Sequence, residues 1–126
     1  MAEKIMKKIL IVEDEMIMRK LLVDAFAKNG FKVAEAADGE EGLKVALDFK
    51  PDTILLDLMM PGMDGLAVLK KLKEEEWSKD IPVTILTNSG ESDKIAKALE
   101  QGVSKYIIKS SMAVDDIVER IAKELK

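Results

Sequence analysis

The 126-residue chain contains no cysteine and no histidine. The first absence excludes disulfides, thiol catalysis and thiolate metal sites. The second removes the commonest general base and the commonest transition-metal ligand, and with them any imidazole able to carry a phosphoryl group. Long apolar runs are missing too. The longest are strand-sized, such as Ile9 to Val12, and none is long enough to span a membrane. No apolar stretch of signal-peptide length precedes the first strand, so a cytoplasmic location is expected. Excess basic charge is likewise absent. The net charge is −4 and the pI about 5.0, which argues against bulk nucleic-acid binding. A small basic run, Lys70, Lys71 and Lys73, is followed by Glu74 to Glu76 and reads as a solvated helix face.

What is present is alternation. Short, β-branched segments (Lys8 to Val12, Phe31 to Ala36, Thr53 to Leu58, Pro82 to Thr87, Lys105 to Ile108) alternate with segments of helical spacing. Runs such as Ile9-Leu10-Ile11-Val12 lack polar alternation, as parallel strands buried on both faces do. Pro82 falls at a strand start, where a missing amide donor is tolerated. Met18, Leu21, Leu22, Ala25 and Phe26 repeat on one helical face, with Gly30 beyond as a stop signal. Asp38 and Glu41 have capping-box spacing, and the helix they open must end near Pro51. Asp64 caps a segment bearing Leu66, Leu69 and Leu72. Ile95, Ala98 and Leu99 precede Gly102, and a last stripe runs from Val114 to Leu125. Five β-α units imply a doubly wound α/β fold with helices on both faces of a parallel sheet. One domain over residues 1–126 is expected, with no length left for an output domain.

Such sheets gather function at the carboxyl ends of their strands. The first strand ends in Glu13-Asp14-Glu15, the third in Asp57, the fourth in Thr87, and the fifth runs straight into Lys109. Asp57 interrupts an apolar run, and a carboxylate taken out of water needs a partner or a cation. Several carboxylates held together repel one another, which a hard divalent cation resolves, and an all-oxygen donor set suits Mg²⁺. A carboxylate nucleophile, a cation, a lysine and a hydroxyl together describe phosphoryl transfer onto an aspartate.

The segments Ile9-Leu10-Ile11-Val12-Glu13-Asp14-Glu15, Asp57-Leu58-Met59-Met60-Pro61-Gly62-Met63-Asp64-Gly65, Leu86-Thr87 and Lys105-Tyr106-Ile107-Ile108-Lys109 resemble the receiver domains of two-component response regulators. The resemblance covers nearly the whole chain. It implies a flavodoxin-like, five-stranded parallel sheet of order 2-1-3-4-5 flanked by five helices. Asp57 would be the phosphoacceptor. Glu13, Asp14, Asp57 and the backbone carbonyl of Met59 would hold Mg²⁺, with Mn²⁺ as a substitute. Thr87 and Lys109 would engage the phosphoryl group, and Thr87 and Tyr106 would form the switch. Partners would be a sensor histidine kinase or histidine phosphotransfer protein and a downstream protein target, with no nucleic acid or membrane, for a monomer or weak dimer. The chain would catalyse only its own phosphoryl transfer and autodephosphorylation. Its output face would be the helix from Glu91 to Gln101, the fifth strand and the last helix, presenting Lys94, Lys97, Lys105, Asp115 and Glu119.

Two departures stand out. Ser110 follows Lys109 where the family usually has a cis-proline, and a trans bond is expected here, which could alter the reach of Lys109. Asn88 follows Thr87 in place of a small residue. The alternatives are a receiver-like interaction module that is never phosphorylated, a flavodoxin-type cofactor protein, and a small phosphatase or nucleotide-binding enzyme. The intact set Asp14, Asp57, Thr87 and Lys109 speaks against the first. The acidic loop after the first strand would repel the phosphate of the second. The third lacks a phosphate-binding glycine loop and a second Asp two residues after Asp57.

Overall fold

A computed structural model describes residues 6–88, 90–103 and 105–125. Residues 1–5, read above as lacking a signal stretch, lie outside them. Five strands, β1 (Lys8–Val12), β2 (Lys32–Ala36), β3 (Thr53–Asp57), β4 (Val83–Thr87) and β5 (Lys105–Ile108), pair in parallel in the order β2-β1-β3-β4-β5. Between and after them lie α1 (Met16–Lys28), α2 (Gly39–Phe49), α3 (Gly65–Glu74), α4 (Ser92–Glu100) and α5 (Val114–Glu124). This is the expected doubly wound sheet. None of the described helices is long and apolar enough to cross a membrane.

The period-two geometry of the strands divides the core. Leu10, Val12, Ile54, Leu56, Val83 and Ile85 face α2, α3 and α4, where Ala46, Val68, Leu69, Leu72 and Ala98 meet them. Ile9, Ile11, Leu55, Leu86 and Ile107 face α1 and α5, covered by Leu22, Phe26, Ile117, Val118 and Ile121. Both faces are buried, which is why the central strands read as continuous apolar runs.

Strand boundaries differ from the sequence reading by one residue at three places, each for a local reason. Phe31 belongs to the turn, because its N–H donates to the Phe26 carbonyl at 3.1 Å and its ring packs edge-on against that of Phe26. Pro82 precedes β4, and its carbonyl accepts from the Ile54 N–H and the Thr53 hydroxyl. Leu58 leaves β3 because its carbonyl turns to accept the Gly65 N–H at 2.9 Å. A side chain at Gly65 would collide with the Asp57 carbonyl, so glycine lets α3 start directly beneath the end of β3.

The caps follow the sequence signals. The Asp38 side chain accepts the Glu41 N–H at 2.8 Å, and Glu41 reaches back to the Ala37 N–H at 2.6 Å. Asp64 caps α3 through the Ala67 N–H at 3.0 Å. Lys50, in the left-handed region at φ 52°, ends α2 before Pro51. Glu91, by contrast, stands at the start of α4 without capping it.

Candidate phosphoryl-transfer site

The carboxyl ends of β1, β3 and β5 bring five side chains together. β3 carries Asp57 to its last position, 1% exposed. Val12, the last residue of β1, is in register with Leu56, so Glu13 and Asp14 emerge beside Asp57. Carboxylate oxygens of Glu13, Asp14 and Asp57 lie within 4.8 Å of one another. Lys109 enters from β5, its ammonium 2.7 Å from Glu13 Oε1, 2.9 Å from Glu15 Oε1 and 3.3 Å from Asp57 Oδ2.

No peptide bond among the described residues is cis, and Lys109 to Ser111 form a single 3₁₀ turn. The trans expectation at Ser110 therefore holds, and Lys109 still reaches Asp57. Two backbone amides complete the anchoring: Met59 N–H donates to Asp57 Oδ1 at 3.2 Å and Glu15 N–H to Glu13 Oε2 at 3.1 Å.

Electrostatics set the protonation of this cluster. Burial, and then the adjacent Glu13 carboxylate, push Asp57 up from 3.8 to about 8, against the opposing pull of Lys109. Burial acts on Lys109 in the other direction, yet its contacts with Glu13 and Glu15 and the charge on Asp57 outweigh it and raise its pKa. One lysine thus serves three acids. Glu13 Oε1 lies close to the ammonium, but that contact is not aligned as a hydrogen bond, and the oxygen is a buried acceptor without a directed donor. An all-oxygen, over-acidic cluster with an unsatisfied oxygen fits a hard divalent cation of the Mg²⁺ kind. Glu13, Asp14 and Asp57 would hold it.

Two further sequence candidates, Thr87 and Tyr106, are not turned into the cluster. Thr87 is fully buried at the end of β4, but its hydroxyl donates to Glu91 Oε2 at 2.9 Å. Tyr106 lies on β5 with 41% exposure, facing outward. On the expected output face, Lys97, Asp115 and Glu119 are exposed. Lys94 and Lys105 are half-buried and engaged, Lys94 lying 3.9 Å from Asp64 and Lys105 lying 3.4 Å from Glu124. Of the basic run, Lys70 and Lys71 are exposed, while Lys73 donates to the Lys79 carbonyl at 3.1 Å. Sequence reasoning missed Glu15 and Glu91 as site residues. Glu15 had a signal, the third acid in a row after β1. Glu91 had only its place four residues after Thr87.

Residues 9–122 match the family described as the response regulator receiver domain. The chain belongs to that family. It is 41% identical over 103 residues to the phosphate regulon transcriptional regulatory protein PhoB of Pseudomonas aeruginosa, covering 82% of this chain and 45% of that protein. It is 37% identical over 119 residues to sporulation initiation phosphotransferase F of Bacillus subtilis, covering 94% of each. The CheY-like receiver domain protein of Methanospirillum hungatei superposes with a TM-score of 0.87 at 25% identity, covering 96% of this chain and 94% of that one. The receiver spans about half the length of the PhoB regulators it matches. The resemblance read from the strand-end motifs is thereby confirmed, and the flavodoxin-type and nucleotide-enzyme alternatives fall away. The relationships are those of a phosphoacceptor receiver of two-component signalling, and none favours a module that is never phosphorylated.

Proposed function

We propose that Asp57 of this receiver accepts a phosphoryl group from a histidine-bearing partner and that the resulting acyl phosphate repositions Thr87, Tyr106 and α4. The observation that carries this is a buried carboxylate at the end of β3 with Lys109 at 3.3 Å and two further acids beside it. An Asp57 carboxylate oxygen attacks phosphorus, a P–O bond forms, and the P–N bond of the donor's phosphoimidazole breaks, the imidazole leaving and taking a proton from solvent. Hydrolysis returns the carboxylate and inorganic phosphate, so the chain catalyses only its own transfer and its own dephosphorylation. Mg²⁺, when bound by Glu13, Asp14, Asp57 and the Met59 carbonyl, supplies the positive charge that keeps Asp57 ionised and offsets that of the phosphoryl oxygens. Lys109 is held by its acidic neighbours at the rim of the cluster, where it meets an incoming anionic oxygen as a point charge.

The donor in this reading is a sensor histidine kinase or a histidine phosphotransfer protein, acting in the cytoplasm. The signal leaves through a protein contact made by a monomer or weak dimer. The net charge of −4 supports a protein surface rather than nucleic acid or an anionic membrane as what the receiver contacts. Incubation with acetyl phosphate and Mg²⁺ tests the proposal. Intact-mass spectra should show one added phosphoryl group, labile to hydroxylamine, and Asp57→Asn should abolish it. Equal labelling of the Asn variant would reject Asp57 as acceptor.

A further inference from the structure

The Thr87 hydroxyl has one proton to donate, and it is committed. It points to Glu91 Oε2 at 2.9 Å, with the Asn88 carbonyl a distant second at 3.4 Å. A hydroxyl-to-carboxylate bond is charge-assisted and stronger than a neutral one. Glu91, for its part, forgoes the usual work of a residue at its position. It stands immediately before α4, its side chain caps nothing, and its backbone carbonyl accepts from Lys94 and Ile95. The carboxylate therefore ties the end of β4 to the first turn of α4.

That helix has few other anchors. Ala98 is its one fully buried residue, and its other polar tie among the described residues is the long Lys94–Asp64 contact at 3.9 Å. We propose that Glu91 is a positioning residue that latches the resting state: it holds the Thr87 hydroxyl away from Asp57 and holds α4 in place through the same bond. This rests on the reading of Asp57 as acceptor. A phosphoryl oxygen on Asp57 and the Glu91 carboxylate compete for one proton, so engaging the phosphoryl group means releasing Glu91. The released carboxylate, half-buried and without a donor, turns to water and frees the first turn of α4. The hydroxyl exchange and the helix motion are then one event.

The latch can be measured with no phosphoryl group present. Thr87→Val removes the donor and Glu91→Leu removes the acceptor at similar bulk, and the double-mutant cycle built from them reads the bond through unfolding equilibria. The expected coupling is about tenfold to a hundredfold in the folding constant, the net worth of one hydrogen bond to a charged group. In amide NMR spectra of unphosphorylated protein, Glu91→Leu should move Thr87, Tyr106 and α4 resonances part of the way toward those of native protein with Mg²⁺ and beryllofluoride. A merely structural role would not produce that directed shift. The same variant should label from acetyl phosphate several-fold faster than the native chain. Additive unfolding equilibria, or Thr87 and Tyr106 resonances unmoved by Glu91→Leu, would overturn the latch. Absence of label on the native chain would instead overturn Asp57 as acceptor, and the cycle would still decide the Thr87–Glu91 bond.

Discussion

β1 and β3 are buried along almost their whole length, while β5 buries one residue in four. The helices repeat the contrast. α2 is closed by a two-way cap between Asp38 and Glu41, whereas α4 has no side-chain cap and one fully buried residue. The acids that would accept phosphate and hold a cation sit on the first half, and the groups that would respond, Thr87, Tyr106 and α4, sit on or beside the second. The difference is functional in kind. A nucleophile and its ligands need fixed geometry, while a switch needs an element whose two positions differ by little free energy. Lys109 joins the halves, since it starts from β5 and reaches Glu13 on β1 and Asp57 on β3.

Cutting that link gives the largest expected effect. Lys109→Ala should slow labelling of Asp57 from acetyl phosphate by roughly 100-fold or more, as loss of a preorganised charge does. It should also tighten Mg²⁺ binding, because the ammonium now occupies the cluster at 2.7 Å from Glu13. Labelling kinetics and metal titration followed by NMR check the two signs. Unchanged kinetics would mean that Lys109 only balances charge.

The two halves should also differ under truncation. Leu56→Ala in β3 should cost about 2–5 kcal/mol in chemical denaturation, as a fully buried leucine does. Ile95→Ala in α4 should cost about 1 kcal/mol. Equal losses would remove the contrast between a firm and a loose half.

A further effect concerns pH. Asp57, at about 8 in the folded protein against 3.8 for an ordinary carboxyl, binds a proton that the unfolded chain has already released. Between about pH 4 and pH 8 the native state therefore holds more protons, so metal-free stability should fall as pH rises through that window. The raised Lys109 group titrates above it and does not change the sign. A cation competes with the same proton, so Mg²⁺ affinity should climb toward pH 8. Asp57→Asn should flatten both trends in denaturation and metal-binding profiles.

Much of this architecture was legible in the residues. Apolar runs with acids at their ends located the cluster, because a charge closing a buried strand has few structural explanations. Asp38, Asp64 and Gly65 announced their turns through local chemistry. The state of the switch was not legible. Glu91 reads as an acid before a helix, and nothing in its spacing says that it takes the Thr87 hydroxyl rather than a backbone N–H. Glu15 finds Lys109 across 94 residues, a pairing that only the closed sheet creates. Lys94 and Lys105 look like solvated positions on a helix and a strand. Their partners Asp64 and Glu124 come from other elements, which no local pattern records.

Residue-resolved amide hydrogen exchange, with and without Mg²⁺ and beryllofluoride, tests the two-half account most directly. In the free protein, α4 and β5 should exchange faster than β1, β3 and α2. On binding the phosphoryl mimic, protection should change across residues 87–108 while β1, β3 and α2 keep their rates apart from residues touching Asp57. Uniform exchange in the free protein, or changes confined to the neighbours of Asp57 with α4 and Tyr106 unmoved, would contradict it.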